Sequence, residues 1–205
     1  MAFDTYNNLK SAIIDELDRD DLTSKVDDFI DLAEARHKEE IRFRGMIKRS
    51  QASASTRYVA LPGDFLEMEM LRILSDPVAM PQQVDLVTLT RYRQAIDGIP
   101  AYFSIHEEIE FDVDIADASP LTVEMVYYGS LTALSDSNTS NALLTRAPGC
   151  YFYGALVTSA SWLSEDARVS TWNSLYNASL DALLLSDRRS RHGSGLATRV
   201  VGTCP

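Results

Sequence analysis

Residues 143–191 constrain the fold of this chain more than any other segment. Pro148 and Gly149 interrupt the chain, and apolar residues then recur at helical spacing in two runs. The runs are Phe152, Leu156, Ala160 and Leu163, then Val169, Trp172, Tyr176, Leu180 and Leu183. The polar residues 164–166 lie between them and are suited to capping the second helix. So short a connection predicts two antiparallel helices packed as a hairpin.

A second helical hairpin is predicted at the start of the chain. Thr5 is suited to be the N-cap of its first helix, residues 18–21 form a charged break, and Gly45 is expected to end its second helix. The apolar faces are Leu9, Ile13 and Leu17 in the first helix, and Val26, Phe29, Ile30, Ala33, His37 and Ile41 in the second. We expect the hairpins at 1–48 and 141–187 to pack together.

The intervening residues 49–140 show strand patterns instead. Residues 57–61 are typical of a strand, and the Pro-Gly-Asp sequence at 62–64 is typical of a turn. Apolar and acidic residues alternate over 66–70 with the period of a strand. Residues 85–95 are predicted to form a short surface helix. This region is therefore expected to be an inserted β lobe.

The clearest alternation in that lobe predicts a β-hairpin. One strand has apolar Ile109, Phe111, Val113 and Ile115 alternating with acidic Glu110, Asp112 and Asp114. The other strand, 121–127, returns after a short turn at 116–119 with the same period. Because the acidic residues share one side, that side is expected to face solvent.

Together these patterns predict an α+β fold. It comprises an antiparallel helical bundle made of the N- and C-terminal hairpins, an inserted antiparallel β lobe, and an extended basic tail at 188–205. The 205 residues, 45% of them hydrophobic, are sufficient for a sizeable core. No apolar run is long enough for a membrane span, and no secretory signal is evident. Cys150 and Cys204 provide no disulfide framework, which favours a reducing compartment.

Residues that carry catalytic or metal chemistry are sparse. His37 lies one helical turn from Glu34 and Glu40, but a half-buried helix residue is the simpler interpretation. Cys150 near a helix start is more simply a small buried hydrophobe than a nucleophile. The spacing of Asp112, Asp114 and Asp117 lacks the glycine and glutamate of a calcium loop. The aromatic residues of 151–176 favour core packing over base stacking, because Arg168 is the only basic residue between Cys150 and Asp187. We therefore expect neither an enzyme nor a metal or other cofactor.

Charge is distributed unevenly along the chain. The formal net charge is −11, which argues against general nucleic-acid binding. From residue 187 onward, four arginines oppose one aspartate, so this end carries +3 and the remainder −14. These arginines suit phosphate binding, docking to acidic groups of another subunit, or simply a frayed terminus. Apolar residues among them (Leu196, Val200 and Val201) favour docking on a protein surface.

Several segments resemble the adaptor, or head–tail connector, proteins of tailed bacteriophages. They are VEMVYYGSLTALSD (123–136), LLTRAPGCYFYGALVTSASWL (143–163), TWNSLYNASLDAL (171–183), DDFIDLAEARHKEEIRFRGM (27–46) and YVALPGDFLEMEMLRI (58–73). The resemblance implies a virion protein at the head–tail junction, assembled in the host cytoplasm. It further implies a ring of twelve copies that binds the portal protein and a downstream tail or nozzle protein. The candidate portal-docking residues are Arg188, Arg189, Arg191, Leu196, Arg199, Val200 and Val201.

Under this interpretation, acidic side chains lining the channel would let genomic DNA pass without specific binding, because they repel phosphates. The candidates are Asp15, Glu16, Asp27, Asp28, Asp31, Glu39 and Glu40, for which simple solubility is an equal explanation. Two alternatives stay open. One is an enzyme or small-ligand-binding protein with a site in the β lobe near His106 or Cys150. The other is a DNA-binding protein that uses the basic tail.

Overall fold

The computed structural model describes residues 3–163 and 167–191. Helices and mainly antiparallel sheets make up this part of the chain, which confirms the α+β class. None of the described helices is both long and apolar enough to span a membrane. Two compact units are present. One takes the described residues of Met1–Gly45 and Thr132–Pro205, and the other is Met46–Leu131. We call them the helical unit and the β unit.

The described chain contains six α-helices. They are α1 (Tyr6–Leu17), α2 (Val26–Glu40), α3 (Leu86–Tyr92), α4 (Ala142–Arg146), α5 (Pro148–Thr158) and α6 (Arg168–Arg191), with short 3₁₀ turns at Asp20–Lys25, Arg44–Met46 and Ser159–Trp162. Thr5 is the N-cap of α1 as predicted, since its hydroxyl accepts the Asn8 backbone N–H at 3.3 Å. The predicted apolar face of α1 is buried. The predicted capping residues at 164–166 lie outside the described residues.

The end of α2 differs from the prediction. The helix ends at Glu40, and Ile41 already has extended backbone angles, so Gly45 does not terminate it. Ile41 and Phe43 are both fully buried, whereas Arg42 between them is only partly buried. The alternation of an extended segment thus supplies the core with two large side chains. The helical period of α2 concealed this change, because Ile41 also fits its apolar face.

Helix α5 packs against four other helices of its unit, α1, α2, α4 and α6. Most of its side chains are buried, including those of Cys150, Tyr151 and Leu156. Gly154 permits the close approach of α2, because a Cβ there would lie 3.3 Å from Nε2 of His37 and 3.4 Å from Cβ of Ala33. This central helix therefore positions the buried polar groups described below.

The segment that leads into α4 is held by Asn141. Its Oδ1 accepts the backbone N–H groups of Leu143 and Leu144 at 3.2 and 3.0 Å. Its Nδ2 donates to the Thr132 carbonyl at 3.1 Å and to the Tyr151 hydroxyl at 2.7 Å. One side chain thus caps a helix and ties it to both a loop and α5.

We expect Asn141→Ala to lower the free energy of unfolding by about 2 kcal/mol, because the cap and both donor bonds are lost. Chemical denaturation would measure this change. Asn173→Ala is the matched control, since Asn173 is exposed on α6, and its effect should stay within about 0.5 kcal/mol. Equal effects of the two substitutions would contradict the structural role of Asn141.

The β unit contains two sheets. Their strands are β1 (Ile47–Ala54), β2 (Tyr58–Ala60), β3 (Phe65–Ile73), β4 (Gln82–Gln83), β5 (Tyr102–Ile105), β6 (Glu108–Phe111) and β7 (Leu121–Gly129). One sheet has the order β1-β7-β3, and the other has the order β2-β6-β5-β4. All pairs are antiparallel except β4 with β5. The predicted short helix is present as α3, with Asp85 as its N-cap.

The predicted hairpin of 109–115 with 121–127 is wrong. Strand β6 pairs with β2 and β5, whereas β7 pairs with β1 and β3, so the two strands belong to different sheets. Apolar side chains of both strands enter one core, among them Ile109, Phe111, Val123 and Met125. Both segments alternate because each lies against that core, and not because they pair with each other.

The predicted solvent-exposed face of this region is also wrong for Glu110 and Asp112, which are buried. The Glu110 carboxylate lies 3.3 Å from the Arg93 guanidinium, and Asp112 accepts the Ala101 backbone N–H at 3.1 Å. Asp114, which is less buried, pairs with Arg57 at 2.8 Å. Protein partners thus replace water around these carboxylates, which is how polar groups are accommodated inside a fold.

Candidate protein-docking site

The C-terminal part of α6 brings together three of the predicted docking residues. Arg188, Arg189 and Arg191 are exposed in its last two turns. The tail was expected to be extended from residue 188, but the helix continues to Arg191. Nε of Arg191 lies 2.8 Å from Oδ2 of Asp187, an i,i+4 ion pair that favours helix, as do basic residues at a helix C-terminus.

Asp187 joins these arginines to the rest of the helical unit. Its carboxylate is buried, and Oδ1 accepts the Arg44 backbone N–H at 2.8 Å. Arg146 and Asp187 line a groove of about 400 Å³, together with Gly149, Ser179 and Leu183. The groove therefore lies where α6, the end of α4 and the start of α5 meet.

We call this surface the arginine end; it comprises Arg44, Arg146, Arg188, Arg189 and Arg191 around Asp187. Arg188 and Arg189 form no ion pair or hydrogen bond with any described residue. Sequence reasoning missed Arg44 and Arg146, although both are basic residues next to predicted helix ends. The other candidate docking residues, Leu196, Arg199, Val200 and Val201, lie outside the described residues.

The groups considered for catalysis are buried in the helical unit. His37 is fully rather than half buried, and burial lowers its pKa to about 4. The Cys150 backbone lies close enough to oppose that shift, yet neither ring nitrogen of His37 reaches a described partner at hydrogen-bond geometry. Burial raises the pKa of the Cys150 thiol to about 11. At neutral pH both groups are therefore uncharged, and Cys150 packs as a small apolar side chain.

The buried carboxyl of Glu34 accepts hydrogen bonds from two other residues. Its Oε1 accepts the Leu134 backbone N–H at 2.8 Å and the Tyr151 hydroxyl at 2.9 Å. Burial raises the pKa of Glu34, whereas these two hydrogen bonds oppose the shift. Of the aromatic residues predicted to pack in the core, Tyr151, Phe152, Trp172 and Tyr176 are buried, whereas Tyr153 is only partly buried and Trp162 is exposed. These groups hold α2, α5 and the loop before α4 together.

The β unit contains an open depression of about 660 Å³ near Arg57, Arg93 and Asp114. Carboxylates accompany both arginines, since Arg57 lies 2.8 Å from Asp114 and Arg93 lies 3.3 Å from Glu110. Nowhere in residues 3–163 and 167–191 do three His, Cys, Asp or Glu side chains gather closely enough to hold a metal ion.

A second surface feature of the β unit is apolar. Eight large hydrophobic side chains are exposed within residues 74–99: Leu74, Val78, Met80, Leu86, Val87, Tyr92, Ile96 and Ile99. Met80 and Val87 are the most exposed, at 65% and 66%. We call these eight side chains the apolar segment. Concentrated exposed apolar surface of this kind is typical of protein interaction sites.

Comparison with known protein families identifies a match. The sequence model of the SU10 adaptor protein family matches residues 4–199, almost the whole chain. No curated protein matches. The matched range includes both units and the arginine end.

Proposed function

The chain belongs to the SU10 adaptor protein family, a phage head–tail adaptor family, and from this premise we propose that it forms a ring between the portal and the tail of a virion. The ring has twelve copies, extends the DNA channel and provides the site where the tail attaches. It is assembled in the host cytoplasm, and its role is structural rather than catalytic. The helical unit forms the body of the ring.

Portal docking is assigned to the C-terminal residues. Arg188, Arg189 and Arg191 extend from the end of α6, and Leu196, Arg199, Val200 and Val201 continue the chain from there. The single observation that carries this assignment is the exposed and unpaired state of Arg188 at the end of α6 in an otherwise acidic protein. Arginine forms paired hydrogen bonds with carboxylates, so an acidic partner surface fits it.

Attachment of the downstream tail or nozzle protein is assigned to the β unit. The apolar segment supports this proposal, because its eight large hydrophobic side chains are exposed within one stretch of the chain. A surface of this composition gains free energy when a protein partner removes it from water.

The acidic candidates for the channel wall are all exposed in the helical unit: Asp15, Glu16, Asp27, Asp28, Asp31, Glu39 and Glu40. Three form ion pairs, since Asp27 pairs with Lys10, Asp28 with Lys25, and Glu40 with Arg36. A fourth, Glu16, accepts the indole N–H of Trp172 at 3.2 Å. Those among them that face the channel repel DNA phosphates, so the genome passes without specific binding.

We expect full-length protein to bind the portal ring of its own phage stoichiometrically, as measured by analytical ultracentrifugation. Charge reversal and loss of the apolar anchors in the combined variant Arg188→Glu, Leu196→Glu, Val200→Glu should weaken binding by at least about 100-fold, since each lost anchor contributes on the order of 1–2 kcal/mol.

The matched control is Asn177→Glu, which adds an acid to the exposed face of α6 away from its C-terminal end. It should bind like the wild type. Binding of the triple variant at wild-type affinity would remove the docking assignment but not the adaptor role. Failure of the wild-type chain to bind an intact portal ring would overturn the proposed function.

A further inference from the structure

Helix α6 has a second stripe of helical spacing, on its solvent side. Thr171, Leu175, Ala178, Ala182 and Leu185 follow one another at intervals of four, three, four and three residues. All five side chains are exposed, Leu175 at 40% and Leu185 at 48%. This interval pattern is the heptad spacing through which one helix packs against another. We call these residues the outer stripe.

The buried side of α6 is different and already has partners. Trp172, Tyr176 and Leu183 face the interior of the helical unit. Between residues 169 and 186 the only charged residue is Asp181, whereas charged residues make up 24% of the whole chain. An exposed helix face with leucines and almost no charge is unusual for a surface that only contacts water.

Helix α2 carries the complementary feature on its own outer face. Leu32 and Ala35 are exposed there, with Leu32 at 47%. Asp28 precedes Leu32 by four residues, and Glu39 follows Ala35 by four residues, so an acid lies one helical turn beyond each end of the apolar pair. We call these four residues the α2 patch.

The charges of the outer stripe's end and of the α2 patch are complementary whether the two helices pack parallel or antiparallel. Arg189 follows Leu185 by four residues on the same side of α6 and has no partner among the described residues. When Leu185 packs on Leu32 and Ala35, Arg189 therefore lies next to Glu39 if the helices are parallel and next to Asp28 if they are antiparallel. The small Ala178 and Ala182 let the helix axes approach closely.

We propose that the outer stripe of one copy packs on the α2 patch of the next copy of this chain. Both helices pack against α5 through their buried sides, so within one copy the outer stripe and the α2 patch stay exposed to solvent. Two different surfaces that meet head-to-tail form a heterologous contact, the kind that closes into a ring. The inference rests on the proposed ring; it assigns Arg189 to the neighbouring copy and leaves the other six docking residues for the portal.

Cysteine cross-linking in the complex with the portal ring tests this contact. Leu185→Cys and Leu32→Cys are introduced separately in full-length protein that also carries Cys204→Ser; the remaining Cys150 is buried. After oxidation, an equimolar mixture of the two variants should give a covalent dimer on a non-reducing gel. Each variant alone should not, because a heterologous contact never places a residue beside its own copy. Asn177→Cys mixed with Leu32→Cys is the matched control and should remain monomeric.

A second readout uses Leu175→Glu with Leu185→Glu, both exposed, so that the fold is retained. This double variant should weaken association between copies at least about tenfold, seen as a lower mass of the portal complex in ultracentrifugation. If portal complexes assemble fully with this variant and the mixed cysteines do not cross-link, the inference is overturned while the adaptor role stands. Dimers from Leu185→Cys alone would overturn it in favour of a two-fold contact. If wild-type protein does not bind the portal at all, the proposed function fails first, and the inference fails with it.

Discussion

Glu34→Ala is expected to lower the free energy of unfolding by about 3 kcal/mol at neutral pH. The substitution removes the acceptor of two hydrogen bonds and leaves the Leu134 N–H and the Tyr151 hydroxyl without it. Both bonds are buried, so water does not replace the carboxylate readily. Chemical denaturation followed by circular dichroism measures the change, and the loss should appear in the midpoint rather than in the slope.

Two variants make this experiment specific to the buried carboxyl. Glu39→Ala removes an exposed acid from the same helix and should change stability by less than about 0.5 kcal/mol. Glu34→Gln keeps an acceptor oxygen and should cost less than Glu34→Ala. If Glu34→Ala costs no more than Glu39→Ala, the two hydrogen bonds do not contribute to holding the loop before α4 on α2 and α5.

The helical unit was predictable from sequence where local chemistry and the helical period agree. Thr5 is of a residue type that caps helices, so the start of α1 could be predicted from this residue, and the apolar face of α1 follows from the spacing of its apolar residues alone. The end of α2 was not predictable in this way. Ile41 fits the helix period and an extended segment equally well, and the burial of Phe43 decides between them only in the folded chain.

The alternation of apolar and polar residues could not predict which strands of the β unit pair with each other. The alternating pattern of 109–115 shows that the segment lies on a core, but not which strand lies beside it. Strand β1 was missed because its sequence, IKRSQASA, is mostly polar, as suits a strand at the edge of a sheet. In β3, register shifts near Met68 turn Leu71 and Ile73 into the core, so the alternation seen over 66–70 does not continue.

The candidate docking site was likewise predictable only in part. The count of charges along the sequence identified Arg188, Arg189 and Arg191, because such a count does not depend on knowing the fold. Arg44 joins them through Asp187, a contact between residues 143 positions apart that no local pattern contains, and Arg146 lines the same groove as Asp187. The outer stripe was missed for a different reason. The buried side of α6 contains larger apolar residues, so the helical period of the sequence was assigned to that side alone.

His37 is expected to make the protein sensitive to acid between pH 6.5 and about 4. Burial lowers its folded-state pKa to about 4, whereas the unfolded chain has the ordinary value of 6.5. As pH falls through this window the unfolded state takes up a proton first, so stability fully present above pH 6.5 is progressively lost. The difference of about 2.5 pKa units corresponds to about 3 kcal/mol.

His37→Leu should remove this loss, because leucine does not titrate and neither ring nitrogen has a hydrogen bond to give up. The measurement is the free energy of unfolding of both proteins from pH 7.5 to 4, with His106→Leu as the control at an exposed histidine. Glu34 has the opposite effect on the pH dependence of stability, because its raised pKa favours the folded state as pH falls. The charges of Glu40 and Arg36 also act on the pKa of His37. The difference between wild type and His37→Leu cancels much of these contributions. It should change by about 3 kcal/mol across the window, whereas a flat difference would mean that His37 is solvated in the folded protein and that α5 does not seal this part of the core.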